Sequence, residues 1–341
     1  METTTLGRNG PPVGRLGLGC MGMSPGIYGA ADDAESIATI EAAVEAGITL
    51  IDTGDFYGMG HNEMLLQKAL SCIPRDRYFL SVKFGAMRAP NGAFVSVDTR
   101  PAAVKNFLAY TLRRLGTDYV DLYQPCRVDP AVPIEDTVGA IADMIKAGYV
   151  RYLGLSEASS DTVRRAHAIH PVRALQIEYS LASRGVEADI LPALRRLGIS
   201  MVVYGVFSRG LLTGHVPGRE GPSPGDIRGH FPRFQGENLA SNRQWVARLQ
   251  EFAQQKGTTV ARLALAWVLS RGEGIIPLVG ARTRAQLADA LEAFRVPVSP
   301  TELAALQDCV PAAAVSGDRY APEQMAALDS ERPSRSSRST A

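Results

Sequence analysis

The sequence predicts an α/β protein whose eight strand–helix units close into a (β/α)8 TIM barrel, with an N-terminal hairpin and a long loop after strand 7. Three observations predict this. Short apolar runs, each fit to be a buried parallel strand, alternate with longer stretches of helical spacing. The runs fall at 15–20, 48–52, 78–83, 119–123, 150–156, 174–179, 200–205 and 274–280, which makes eight. Polar side chains sit at or just after the C-terminal ends of successive runs: Asp52, Lys83, Cys126, Ser156, Gln176 and Tyr204. In a barrel those ends form one ring around one pocket, whereas an open doubly wound sheet would share a site only at its switch point.

Helical spacing is found at 33–46, 61–71, 101–115, 135–147, 159–168, 187–197, 241–270 (long enough for two helices) and 283–293. Asp32 and Asp33 stand where N-caps belong in the first of these, and Gly47 stands just past its end. Residues 1–14 are expected to form a small hairpin across the barrel floor. Residues 214–238 are Gly/Pro-rich and basic, and a connection that long is usually functional or disordered. It is expected to be a mobile cover over the pocket. One domain is expected over 1–328, followed by a disordered Ser/Arg tail over 329–341.

Composition sets the outer limits. At 341 residues, 45% hydrophobic and 21% charged, the chain can bury a large core without covalent staples. A net charge of +1 gives no reason to expect a nucleic-acid partner. The four cysteines, Cys20, Cys72, Cys126 and Cys309, are scattered, with no CxxC pair and no His at metal spacing. They read as reduced thiols, with no metal expected. The start METTTLGRNG has no basic stretch leading into an apolar run, and no apolar stretch reaches the roughly 20 residues of a membrane span. A cytoplasmic location without a membrane partner is expected, and oligomeric state is left open.

One motif invites a different fold. Gly17, Gly19 and Gly22 spell GxGxxG after a strand, as in dinucleotide-binding sheets. That motif needs a helix opening at its third glycine to hold pyrophosphate. The following MSPGIYGAADD, with Pro25 and Gly26, opens no helix. The glycines are expected instead to give a turn and a close backbone approach at the end of the first strand.

The chemistry gathers in IDTGDFYG (51–58) and LSVKFG (80–85). Asp52 and Lys83 end successive strands, and Tyr57 follows within five residues of the aspartate. An ammonium beside a phenol favours the phenolate, so Lys83 is expected to lower the Tyr57 pKa from about 10 while Asp52 orients the lysine. A buried Asp–Lys pair beside a core tyrosine is the plainer alternative.

These stretches resemble the aldo-keto reductase family. DTGDFYG is similar to the family's segment holding a catalytic aspartate and tyrosine. LRRLGTDYVDLYQPCRVDP (112–130), GYVRYLGLSEAS (148–159), LQIEYSLASR (175–184) and GLLTG (210–214) follow in the family's order, so the resemblance spans roughly 10–300. The GLGCMGMS start and PRFQGEN loop are most similar to a branch of soluble microbial and plant reductases. The resemblance implies hydride transfer from NADPH to an aldehyde or ketone, with Tyr57 as proton donor tuned by Lys83 and Asp52.

The fourth catalytic member in the family is a histidine, and YQPCRVD places Cys126 there. A thiol is a weaker hydrogen-bond donor than imidazole, and one lost oxyanion donor can cost roughly 10²–10³ in rate. Cys126 could reshape the pocket for a bulkier substrate, redirect the enzyme to C=C reduction or a redox-neutral step, or leave a weak NADPH-binding regulatory protein. His61, nearby in sequence, is expected to open the second helix rather than substitute.

The resemblance also implies a cofactor site. Ser156 and Gln176 match the pair that holds the nicotinamide carboxamide, and Tyr204 matches the aromatic that stacks on its ring. Phe207, Ser208, Arg209, Gly210 and Leu211 match the stretch along the pyrophosphate. A strand ending at Gly280 opens a helix near Thr283, whose free N–H groups can hold phosphate. Arg282 and Arg284 add a cationic fork suited to a 2′-phosphate, with Gln286 alongside. Two positions depart from the family: Glu157 and Ala290 stand where asparagines are usual.

Overall fold

A computed structural model describes residues 1–332 except 29, 215, 217, 219, 220 and 223–225. The chain opens with an antiparallel hairpin, β1 (Thr3–Thr5) and β2 (Pro12–Gly14). The barrel strands begin with β3 (Gly17–Gly19), β4 (Leu50–Gly54) and β5 (Phe79–Phe84). A surface hairpin of β6 (Ala86–Arg88) and β7 (Phe94–Val97) intervenes. The barrel resumes with β8 (Val120–Pro125), β9 (Val150–Ser156), β10 (Val172–Glu178), β11 (Ser200–Tyr204) and β12 (Ile275–Val279). The eight barrel strands are parallel and close through the pairing of β12 with β3. The expected barrel is the observed one.

Why polar residues gather at one end follows from the pleat. Inward-facing positions recur every second residue along each strand. The lowest inward layer is Leu50, Phe79, Leu122, Ala174, Val202 and Ile276, with Leu278, and it packs in one apolar cluster with Leu6 and Val13. The N-terminal hairpin therefore does close the floor. Two residues further along the same strands come Asp52, Ser81, Gln124 and Gln176, aligned by registers such as Asp52↔Ser81 and Gln176↔Ser156. The next inward layer holds Lys83, Cys126, Glu178 and Tyr204. Strands β4, β5, β8, β10 and β11 thus run from apolar floor to polar mouth.

The close approach expected at the first strand is real. A Cβ on Gly17 would lie 2.6 Å from the Leu278 side chain and 2.9 Å from that of Leu50, so any larger residue there would have to displace both leucines. After Gly22 comes a single 3-10 turn, Met21–Met23, and no α-helix begins before Asp33. The dinucleotide motif is only a look-alike.

Outside the barrel lie α1 (Asp33–Glu45), α2 (His61–Leu70), α3 (Pro101–Leu115), α4 (Ile134–Lys146), α5 (Ser160–Ile169) and α6 (Ile190–Leu197). They are joined by α7 (Gly236–Gln255), α8 (Val260–Leu269) and α9 (Arg284–Leu291). Asp32 caps α1 by accepting from the Glu35 amide, as its position suggested. The 241–270 stretch is two helices, α7 and α8, with Thr259 capping the second.

Two further helices, α10 (Pro300–Cys309) and α11 (Pro322–Ala327), were not anticipated. The Ser299–Glu302 capping box of α10 was a readable signal. The expected tail begins later than 329. Asp329 accepts from the Ser159 amide at 2.8 Å and Ser330 donates to Glu157 at 2.6 Å, which docks 329–332 on the barrel. The rest of the tail, 333–341, lies outside the described residues. So do parts of the 214–238 cover, but its described end is anchored, with Tyr28 and Asp226 forming a β-bridge across the mouth.

Candidate active site

The site begins with a buried ion pair. Lys83 bonds Asp52 Oδ1 through its ammonium, while Asp52 Oδ2 accepts from Ser81 Oγ at 2.9 Å and Gln176 Nε2 at 2.7 Å. Gln124 supports Ser81 at 3.1 Å. Three donors, Lys83, Ser81 and Gln176, thus saturate one carboxylate, with Gln124 behind Ser81, and hold the lysine below the mouth. A buried pair is worthwhile only when its remaining lone pairs are satisfied, as here.

Tyr57 lies above this pair. It starts a tight turn in which Gly58, Met59 and Gly60 take positive φ of 57°, 53° and 96°. The turn is pinned from behind by Asn62, which accepts from Thr53 at 2.7 Å and donates to Cys20 O and Ser24 Oγ at 2.9 Å each. The Lys83 ammonium sits 5.2 Å from the Tyr57 ring centroid, and Phe56 meets the same ring edge-on at 4.8 Å. The Tyr57 hydroxyl makes no hydrogen bond to any described residue. Asp52, Tyr57, Lys83 and Cys126 do meet in one place.

The expected lowering of the Tyr57 pKa is corrected. Burial pushes the phenol well above its ordinary value, the charge of Asp52 adds to this, and Arg127 leads the groups that pull it down. Desolvation of the phenolate outweighs the cation in this enclosed mouth. Tyr57 therefore holds its proton across the physiological range. Cys126 is likewise a neutral thiol, pushed by burial up to about 12, so a nucleophilic role has no support. His61 opens α2, with its ring 3.2 Å from Ser24 Oγ and 3.1 Å from Asp33, away from the mouth.

The other matched residues line the same end. Ser156 Oγ is buried without a partner, as is Ser208 Oγ. Tyr204 donates to Glu157 Oε1 at 2.7 Å and meets Tyr320 Oη at 2.8 Å. Phe207 to Leu211 follow β11 as an irregular turn, with Ser208, Arg209 and Gly210 at positive φ. Arg209 points into the barrel mouth and pairs with Glu178 at 3.1 Å. Gly280 links β12 to α9 with open space where a Cβ would stand. Thr283 caps α9, and Gln286 accepts from the Arg282 amide at 2.8 Å. Ala290 is buried in the core and presents nothing outward.

Several participants escaped sequence reading. Arg319, from the segment before α11, pairs with Glu157 at 2.5 Å and lies 3.8 Å from Glu178. Burial alone would raise the Glu157 carboxyl, but Arg319 overcomes it and holds the group down at about 2. Glu157 also takes positive φ, a strain this network sustains. Tyr320 and Arg127 complete the rim. On α9, Glu35 of α1 accepts from the Arg284 amide at 2.9 Å and from its guanidinium at 2.8 Å. The only local hint was Glu35's place in the first turn of α1, facing α9 across the closing seam.

Fold and site together define a closed parallel barrel with Asp52, Lys83 and Tyr57 gathered at its C-terminal mouth. The model of the Aldo/keto reductase family matches residues 15–311, and the chain belongs to that family. It is 39% identical over 320 residues to "Probable aldo-keto reductase 1" of Glycine max, covering 94% of this chain and 92% of that one. Among solved structures it is similar to the glycerol dehydrogenase AKR11B4 from Gluconobacter oxydans, with a TM-score of 0.82, 28% identity and 93% and 97% of the two chains covered. It is also similar to a thermostable aldo-keto reductase in complex with the inhibitor epalrestat, with a TM-score of 0.72, 26% identity and 91% and 100% covered. Membership supports carbonyl reduction with a nicotinamide cofactor in general terms. No helix among the described residues is long and apolar enough to cross a membrane.

Proposed function

We propose that this protein reduces the carbonyl of an aldehyde or ketone with NADPH, and that Tyr57 protonates the oxygen. The observation that carries this reading is the Tyr57 hydroxyl: protonated, free of any described hydrogen-bond partner, and set over the Lys83–Asp52 pair. The bound cofactor would supply the hydride to the carbonyl carbon. As the bond to oxygen gains negative charge, the phenol donates its proton there, and the product is the alcohol. Lys83 places positive charge beneath the ring as phenolate character grows, and Asp52 keeps the ammonium in position. Cys126 shapes the wall beside the reacting oxygen and adds little polarisation.

The residues present fit a nicotinamide dinucleotide. The unpartnered buried hydroxyls of Ser156 and Ser208 are polar atoms that want a partner, and both lie at the mouth. Ser156 and Gln176 would hold the carboxamide, Tyr204 would face the ring, and residues 207–211 would follow the pyrophosphate. Gly280, Arg282, Thr283, Arg284 and Gln286 would take the adenosine end. Arg282 is anchored on the carbonyls of Tyr28, at 2.8 Å, and Ala30 without a carboxylate, so its charge is available to a 2′-phosphate.

Tyr57→Phe tests the assignment. The variant should lose carbonyl-dependent NADPH oxidation by at least about 10²-fold, while NADP⁺ affinity measured by calorimetry stays within error. Turnover equal to that of the parent would remove Tyr57 from the role.

A further inference from the structure

The polar mouth carries more positive charge than it neutralises. Four arginines converge there: Arg127, Arg209, Arg233 and Arg319. Their buried acidic counterparts are Glu157 and Glu178. Arg209 pairs with Glu178 at 3.1 Å, Arg233 lies 3.5 Å from it, and Arg319 pairs with Glu157 at 2.5 Å. Arg319 also reaches Glu331 at the rim, 2.7 Å away.

Arg127 is different. Its guanidinium donates to Cys126 O at 2.6 Å and to Tyr320 Oη at 3.4 Å, and it forms no ion pair among the described residues. A guanidinium carries five N–H donors, so most of its capacity is unspent. The Glu157 carboxylate acts on it only through space, beyond ion-pair distance, and a partly buried cation with no carboxylate in contact is costly unless something else supplies the charge.

Its location narrows what that something is. Arg127 follows Cys126 directly at the end of β8, and its charge bears on the Tyr57 hydroxyl more than that of any other cation. Through Tyr320, which meets Tyr204 at 2.8 Å, the unmatched guanidinium stands at the barrel mouth where a carbonyl would meet Tyr57. We infer that Arg127 is a substrate-binding residue for an anionic group, and that the preferred substrates are aldehydes or ketones that also bear a carboxylate. The planar carboxylate matches the fork of the guanidinium, whose unspent N–H groups are the donors, since the Tyr320 hydroxyl proton is committed to Tyr204. This inference rests on the carbonyl-reductase reading and deepens it by naming the substrate class.

The test compares 4-carboxybenzaldehyde with its neutral methyl ester, methyl 4-formylbenzoate, in the NADPH-loaded enzyme. The acid should be favoured in kcat/KM by roughly tenfold or more, with most of the difference in KM. Arg127→Leu should bring that ratio near one, and Arg127→Lys should keep part of it. A parent enzyme that favours the ester, or a preference for the acid that persists in Arg127→Leu, overturns the subsite and leaves the reductase reading standing. Should neither aldehyde turn over, it is the reductase reading that fails. The subsite is then decided by calorimetric titration of benzoate into the NADP⁺-saturated protein. Binding in the parent and its loss in Arg127→Leu support the subsite, while absent or unchanged binding overturns it.

Discussion

Asp55 shows how strongly this interior handles single charges. It follows β4, two residues before Tyr57, and both its carboxylate oxygens are buried without a side-chain partner. Burial, reinforced by Glu63, pushes its carboxyl up to about 8. The unfolded chain releases that proton near pH 4. Between the two values the unfolded state sheds a proton the fold retains, so stability falls as pH rises from about 4 to about 8. Asp55→Asn keeps the shape and removes the titration. It should flatten that decline and gain on the order of a few kcal/mol near pH 8, read from urea melts at several pH values. An unchanged slope would mean that Asp55 is ionised in the fold. At this scale the sequence was informative wherever a residue's role follows from its place on a strand: Asp52, Lys83, Gln176 and Tyr204 are legible as strand-end positions. Arg127 was in plain view beside Cys126, but its meaning depends on Glu157 and Glu178 being claimed by Arg319 and Arg209. No local pattern discloses such a distribution of partners. The direction of the Tyr57 shift was misjudged for a related reason, because proximity to a cation is readable and depth of burial is not.

Among the elements, the junction of α1 and α9 decides how the cofactor's adenosine end is received. The α9 N-terminus has a Thr283 cap and two arginines, as the segment after β12 suggested. Yet Glu35 already occupies the Arg284 amide and guanidinium, and that hydrogen bonding holds its carboxyl below the ordinary range. A carboxylate in that place competes with a 2′-phosphate for the same donors. Glu35→Gln should therefore tighten NADP⁺ roughly severalfold and leave NAD⁺ nearly unchanged, as measured by calorimetry. Weaker NADP⁺ binding in the variant would show that Glu35 orders the arginine for phosphate instead of opposing it. The sequence offers Arg284 as half of a cationic fork but not its pairing with Glu35, because the two residues lie 249 apart in the chain and meet only where the barrel closes. Helix ends with their own caps were legible, and contacts across the seam were not.

For the whole molecule, alternation of apolar runs and helical stretches gave eight strand–helix units, and the polar residues ending most of the strands favoured a closed barrel over an open sheet. The C-terminal segment was harder. Its residues Arg319, Tyr320, Asp329 and Ser330 bond the rim at Glu157, Tyr204 and Ser159, yet they have no periodicity of their own and acquire meaning only from a surface built 115 to 173 residues earlier. Rim and barrel together bring a protonated phenol, a buried ammonium and one unmatched guanidinium to the barrel mouth, where the proposed function has bound NADPH give hydride to a carbonyl carbon. Reduction with NADPH deuterated at the transferring C4 position, followed by mass and NMR analysis of the product, tests that most directly. One deuteron is expected on the carbinol carbon of the alcohol. Deuterium on a carbon adjacent to an intact carbonyl, or none in the product, would contradict it.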